Sequence, residues 1–250
     1  AMWSMRAIGP AALIRGRPQP TDFYPLLLQL VDDLDDFERV LRALPLDRFP
    51  PTRPDDERFV PFFYEFLRHS EPDEWTKSLL VAGRHGQVKV PSLSIAGWHD
   101  LLLNADLHHY RAMRDGAGSE LARQKSRLVI GPWAHAMFHN VVGDLDMGFR
   151  ANGLLLDLKE DLTKLQLRWF DRFMKDERNG VDDEAPVKIF VQGANRWRDE
   201  SDWPLSRAVT RVWYLNGDGS VERTRRDADS EARSFVYDPA DPCPTAGGTL

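Results

Sequence analysis

Val90-Pro91-Ser92-Leu93-Ser94-Ile95-Ala96-Gly97-Trp98-His99-Asp100 and Arg127-Leu128-Val129-Ile130-Gly131-Pro132-Trp133-Ala134-His135 are the two stretches whose reading decides the fold. Each is a short apolar run that breaks at a glycine and delivers a titratable residue just beyond its end, as buried parallel strands do. Strands are predicted over residues 93–96 and 128–130. Between them Leu107, Tyr110 and Met113 recur every three residues, which predicts a helix over residues 105–114, closed by Gly116-Ala117-Gly118. Strand, helix and strand make a βαβ unit with parallel strands and a right-handed crossover.

Working outward, the residues before Val90 read as helical. Leu34, Phe37, Val40, Leu41 and Leu44 keep helical spacing, and Asp32, Asp33, Asp35 and Asp36 are placed in the first turn, where the helix dipole favours acids. Pro45 ends that helix. Phe59, Phe62, Phe63, Tyr64 and Phe66 form an aromatic cluster that reads as core, and Glu71-Pro72-Asp73-Glu74-Trp75 reads as a helix start.

After His135 an irregular loop runs to Gly153, followed by an amphipathic helix predicted over residues 154–175 with Leu155, Leu158, Leu162, Leu165, Trp169 and Phe173 as its apolar stripe. Beyond Pro186 the pattern changes to short strands, with Val187-Lys188-Ile189-Phe190-Val191, Arg211-Val212-Trp213-Tyr214-Leu215 and Arg233-Ser234-Phe235-Val236-Tyr237. Asn216-Gly217-Asp218-Gly219 marks a turn. These runs are expected to open an all-β domain.

Composition excludes several classes. A chain of 250 residues, 42% hydrophobic and 29% charged, buries a sizeable core and is not disordered. A net charge of -6 argues against nucleic acid or an anionic membrane as partner. No apolar run of about 18 residues predicts a membrane-spanning helix. Cys243 is the single cysteine, so no intrachain disulfide forms, and a reducing, cytoplasmic compartment is expected. Flanked by prolines with no basic neighbour, its thiol is not a candidate nucleophile.

An acid after one strand and a histidine after the next fit the order serine, acid, histidine of hydrolase triads. Asp100 would orient the imidazole and His135 would move the proton. Spacing alone leaves a second reading open, in which Asp100 caps the next helix and His135 is a buried structural residue. Trp98 and Trp133 flank these positions and read either as pocket walls or as core. His135 and His139, with His99, His108 and His109, lack the glutamate of the usual zinc motif, so no metal is expected. Asp144 and Asp146 read as turn formers.

Five segments carry a resemblance: Ile95-Ala96-Gly97-Trp98-His99-Asp100, Gly131-Pro132-Trp133-Ala134-His135, Gly143-Asp144-Leu145-Asp146-Met147-Gly148, Gly193-Ala194-Asn195-Arg196-Trp197-Arg198-Asp199-Glu200 and Tyr237-Asp238-Pro239-Ala240-Asp241-Pro242. Together they resemble the cocaine esterase and X-Pro dipeptidyl-peptidase family of serine hydrolases. The resemblance implies an α/β-hydrolase fold with a helical cap over residues 1–88, the C-terminal half of the catalytic sheet over 89–180, and the start of a jelly roll over 181–250. It places Asp100 and His135 on the catalytic acid and base; Trp98, His99 and Trp133, by their position beside these two, are candidate substrate contacts. It further implies ester or amide acyl substrates and no cofactor.

The chain departs from the family at the nucleophile, since no Gly-x-Ser occurs in it. The serine is therefore expected outside these residues, and the chain alone is expected to be inactive. His99 stands where the family more often has an aromatic residue. The alternative reading is a degenerate hydrolase-like chain that binds a ligand or partner without activity. A half-sheet leaves an exposed edge, so an isolated chain is expected to need a complementary chain or a homo-oligomer.

Overall fold

Alternation along β2 (Arg127–Ala134) sorts the core into two faces. The computed structural model describes residues 20–36, 42, 45–48, 61–135, 137–224 and 234–238. Contacts divide the chain into two units, residues 1–80 and 81–250.

In the first unit, α1 (Pro20–Asp35) starts on a proline, tolerated where no amide partner is needed. Asp32, Asp33 and Asp35 therefore occupy its last turn rather than a first turn, which corrects the predicted helix; Phe37, Val40, Leu41 and Leu44 lie outside the described residues. In α2 (Pro61–Arg68) Tyr64 is buried, whereas Phe62 and Phe66 are exposed, so only part of the aromatic cluster is core. Phe59 lies outside the described residues. The start of α3 (Glu74–Leu79) is where the sequence predicts it: Asp73 accepts from the Thr76 amide at 2.9 Å, and the Thr76 hydroxyl accepts from the Asp73 amide at 2.7 Å. His69 stacks on Trp75 with ring centroids 4.6 Å apart and pairs with Asp73.

The second unit is built on a four-stranded sheet. Its strands are β1 (Leu93–His99), β2, β5 (Val187–Val191) and β6 (Arg196–Glu200), side by side in that order. β1 runs parallel to β2 and β2 parallel to β5, while β6 returns antiparallel to β5. Two helices, α4 (Leu103–Gly116) and the shorter α5 (Glu120–Lys125), connect β1 to β2. This is the expected βαβ unit with one more helix than predicted.

Both glycines lie within the strands instead of ending them. A Cβ on Gly97 would come 2.2 Å from the Trp133 carbonyl oxygen, and one on Gly131 would come 2.3 Å from the Trp133 indole. Close approach, not a chain break, requires glycine at both.

Leu128 and Ile130 pack with Ala96, Tyr110, Val187 and Ile189 on the α4 face. Val129 and Trp133 pack with Phe190, Trp197 and three residues of α6 (Leu162–Met174), namely Leu162, Leu165 and Trp169, on the other. The result is three layers, helix, sheet and helix. Every residue of β2 is buried, and each large aliphatic side chain so placed contributes about 1.5–3 kcal/mol.

The helix α6 begins eight residues later than its apolar spacing predicts. Asp157 and Leu158 have φ of 50° and 60°, and a bridge between Leu156 and Glu160 closes a tight turn before it. Asp161 then caps the helix, accepting from the Lys164 amide at 2.7 Å.

The short strands β3 (Val141–Val142) and β4 (Leu145–Asp146) form a hairpin after His135. Asp146 accepts from Asn140 Nδ2 and the Gly148 amide, a turn former as read. Near the C-terminal end, β7 (Tyr214–Leu215) and β8 (Val221–Glu222) pair across the Asn216–Gly219 turn. Of the two predicted strands beyond residue 210, only Tyr214 and Leu215 pair; residues 234–238 are irregular and Arg233 lies outside the described residues. The ladder thus carries β5 and β6 in the same sheet as β1 and β2, although their sequence reads as the opening of a separate β domain.

Candidate active site

The parallel strands β1, β2 and β5 all end at one edge of the sheet, and the polar residues that follow them meet there. The β1 to β2 register slips between Gly97 and His99, so that His99 faces Ala134. A slip of this kind re-aims the residues beyond it. It brings Asp100 opposite His135, whose Nδ1 lies 3.1 Å from Asp100 Oδ2 and 3.2 Å from Oδ1.

The Asp100 side chain is 12% exposed and the His135 ring 47% exposed. Because an ionised carboxylate only accepts, the contact holds the proton on Nδ1 and leaves Nε2 as the basic nitrogen. Nε2 makes no hydrogen bond among the described residues, on a ring that is largely exposed. His135 is therefore not the buried structural histidine of the alternative reading. Nor is Asp100 the cap of the next helix, whose N-cap is Leu102 with no side-chain cap; Asp100 Oδ1 instead accepts from the Leu102 amide at 2.8 Å in the turn before it. That bond and the turn bond from the Asp100 amide to the Gly97 carbonyl, at 3.1 Å, fix the carboxylate.

The remaining predicted residues divide. His99 is half-buried, and its Nε2 accepts from Gln192 Nε2 at 2.7 Å, which places Gln192 on the same edge. Trp98 is half-buried, packs against Trp203 and donates to the Phe190 carbonyl at 2.6 Å. Trp133 is core and not a pocket wall: it is fully buried and donates to the Ala151 carbonyl at 2.6 Å. Its place on the α6 face turns it away from solvent. Trp197 shares that face, with ring centroids 5.6 Å from Trp133 and 5.4 Å from Phe190, and donates to the Arg150 carbonyl.

Two residues at this edge escaped sequence reasoning. Gln192 follows the last residue of β5, and only the strand's membership of the sheet reveals its position. Asp106, in the first turn of α4, has a carboxyl held above the ordinary range by burial and then by the Asp100 charge, against the opposing pull of His135. It is a second acid, within electrostatic reach of the pair.

Among the described residues no three His, Cys, Asp or Glu side chains form a group able to hold a metal. His85 and His109 do pair, with Nε2 3.2 Å from Nδ1, and burial followed by the His85 charge lowers the His109 pKa. Ser92 and Ser94 lie at the start of β1, with Ser92 Oγ 3.4 Å from Ser126 Oγ. About 20 Å of strand separates them from Asp100. Cys243 lies outside the described residues, as do residues 239–242 of the fifth resemblance segment. No helix among the described residues is long and apolar enough to cross a membrane.

Comparison with known proteins adds to this geometry. Residues 29–137 match the sequence model of the X-Pro dipeptidyl-peptidase (S15 family), and residues 179–245 match that of the X-Pro dipeptidyl-peptidase C-terminal non-catalytic domain. A cocaine esterase from Rhodococcus sp. (strain MB1 Bresler) is 31% identical over 202 residues, which are 77% of this chain and 33% of the esterase. The chain thus spans about a third of that relative's length. Among solved structures, an aminopeptidase from a marine sediment Thaumarchaeota archaeon superposes with a TM-score of 0.62 at 22% identity, over 84% of this chain and 33% of the aminopeptidase. At that identity the likeness concerns the fold.

Proposed function

The chain belongs to the X-Pro dipeptidyl-peptidase and cocaine esterase family, and from that premise we propose that it carries the acid and base of a serine hydrolase acting on ester or amide acyl groups. One observation supports the reading above the others: the carboxylate of Asp100 lies 3.1 Å from Nδ1 of an exposed His135 whose Nε2 is open. This is the geometry a base needs when its other nitrogen is held by an acid.

In the proposed cycle a serine hydroxyl attacks the acyl carbon and its proton passes to His135 Nε2. The tetrahedral intermediate collapses, the bond to the leaving alcohol or amine breaks, and the same proton goes to that leaving group. Water then attacks the acyl-enzyme while His135 takes a proton from it; the bond from the acyl carbon to the serine oxygen breaks, that proton passes to the serine oxygen, and a carboxylic acid and the free serine result. Asp100 holds the imidazole and stabilises the imidazolium formed in each half. No step calls for a metal or organic cofactor. His99 and Gln192, on the same edge, are placed to meet the substrate.

In this reading the serine comes from outside these 250 residues, because no Gly-x-Ser occurs in them, and Ser92 and Ser94 stand at the far end of β1. The helices of the first unit act as a cap, and the residues after β6 begin a jelly roll. A fluorophosphonate probe tests the assignment. The complete protein is expected to label at one serine and to lose that labelling in a His135→Ala variant, while the 250-residue chain alone does not label stoichiometrically. Stoichiometric labelling of Ser92 or Ser94 would overturn it.

A further inference from the structure

At the opposite end of the sheet from Asp100 and His135 lies a half-open cavity of about 470 Å³. Arg127 is the first residue of β2 and Lys188 the second of β5, and both line it from the sheet, while Lys164 and Arg168 line it from α6. The eight residues of β2 separate this cavity from His135, roughly 25 Å of extended chain. It is therefore distinct from the candidate active site.

Its charges do not cancel. Five cationic and four acidic side chains line it. The acids are already engaged. Arg168 Nη1 donates to both oxygens of Glu160, at 2.8 and 2.9 Å, and its Nη2 donates to Glu184 at 2.6 Å. Lys188 pairs with Asp199 at 2.5 Å, and Lys159 with Asp157 at 3.5 Å. Burial works against the charge on Glu184, but Arg168 and Arg127 hold its carboxyl below the ordinary range, so it remains an anion.

Two of the cations, Arg127 and Lys164, retain unused donors. The Arg127 side chain is 3% exposed and its Nη1 pairs with Glu184 at 2.6 Å, whereas Nε has no hydrogen-bond partner in the protein. A buried guanidinium with an unmet donor is costly to keep, about 1–3 kcal/mol for the polar group left unsatisfied. Lys164 Nζ has no partner among the described residues. One surplus positive charge and a planar guanidinium fork suit a single carboxylate. Leu156 and Ala185 in the same wall supply apolar contact for its hydrocarbon part.

We propose that this cavity is a second binding site, independent of the hydrolytic reading, that takes a small organic carboxylate on Arg127 and Lys164.

Calorimetric titration of the complete protein with sodium benzoate at constant ionic strength tests it, with inorganic phosphate and chloride as comparison anions. Benzoate is expected to saturate one site. The Lys164→Gln variant changes only an exposed residue and is expected to fold, lowering benzoate affinity about fivefold, the order expected for one exposed charge pair. Arg127→Lys keeps the charge but loses the fork, and where it folds by circular dichroism it lowers affinity further. His135→Ala leaves binding unchanged. Failure of benzoate to saturate through tens of millimolar, equal affinity in Lys164→Gln, or loss of binding in His135→Ala would each overturn the proposal. Saturation by phosphate with benzoate silent would overturn the carboxylate assignment.

Discussion

Asp100 serves two roles with one carboxylate: it accepts from the Leu102 amide and faces the His135 ring. One carboxylate serves both because Oδ1 is shared, 2.8 Å from the Leu102 amide and 3.2 Å from His135 Nδ1, while Oδ2 lies 3.1 Å from the same ring nitrogen. Trp133 is the clearest case of a residue whose role its neighbours in sequence conceal. It lies two positions from His135, yet the strand turns it into the core, where its indole meets Trp197 and Phe138. Trp133→Ala is expected to destabilise the second unit by about 3–5 kcal/mol, measured by urea unfolding. An effect confined to substrate affinity, with stability unchanged, would restore it to the pocket.

At the scale of elements, the βαβ unit was legible because apolar runs, a helical repeat and glycine-rich punctuation agree over residues 93–130. The membership of β5 in the same sheet was not. A five-residue apolar strand carries no mark of its partner, and only the register of Leu128 with Val187 assigns it. The start of α6 was misplaced for a related reason: Leu155 and Leu158 continue the apolar spacing, while left-handed backbone at Asp157 and Leu158 breaks the helix beneath it. Positive φ at two non-glycine residues leaves no sequence signal of the usual kind.

β6 also carries a pH-dependent element. Arg207, and with it Arg198, holds the Glu200 carboxyl down to about 2 against the opposing effect of burial. The folded state therefore binds this proton more weakly than the unfolded chain. The stabilisation is fully present above the ordinary glutamate value of 4.5 and is lost as pH falls toward about 2. Glu200→Gln is expected to flatten the fall in stability over that window, followed by chemical unfolding at a series of pH values. A fall as steep as in the parent chain would show that the pair does not stabilise the fold.

For the molecule as a whole, the two ends of the sheet differ in kind. Asp100, His135, His99 and Gln192 gather at the edge where the parallel strands finish, the usual place for chemistry in such sheets. The sequence signalled the first two through their position just past apolar runs. The other end brings Arg127, Lys164, Arg168 and Lys188 around one cavity. Those residues are spread over three elements, and no local pattern announces their meeting. Charge summed over the chain, -6, hides a locally cationic site.

The central claim, that His135 is the base held by Asp100, is tested most directly by kinetics of a His135→Ala variant in the complete protein on an activated ester. The account predicts that kcat falls by about 10³-fold or more, with the circular dichroism spectrum and unfolding midpoint unchanged. Hydrolysis at near the parent rate by a folded His135→Ala protein would contradict it.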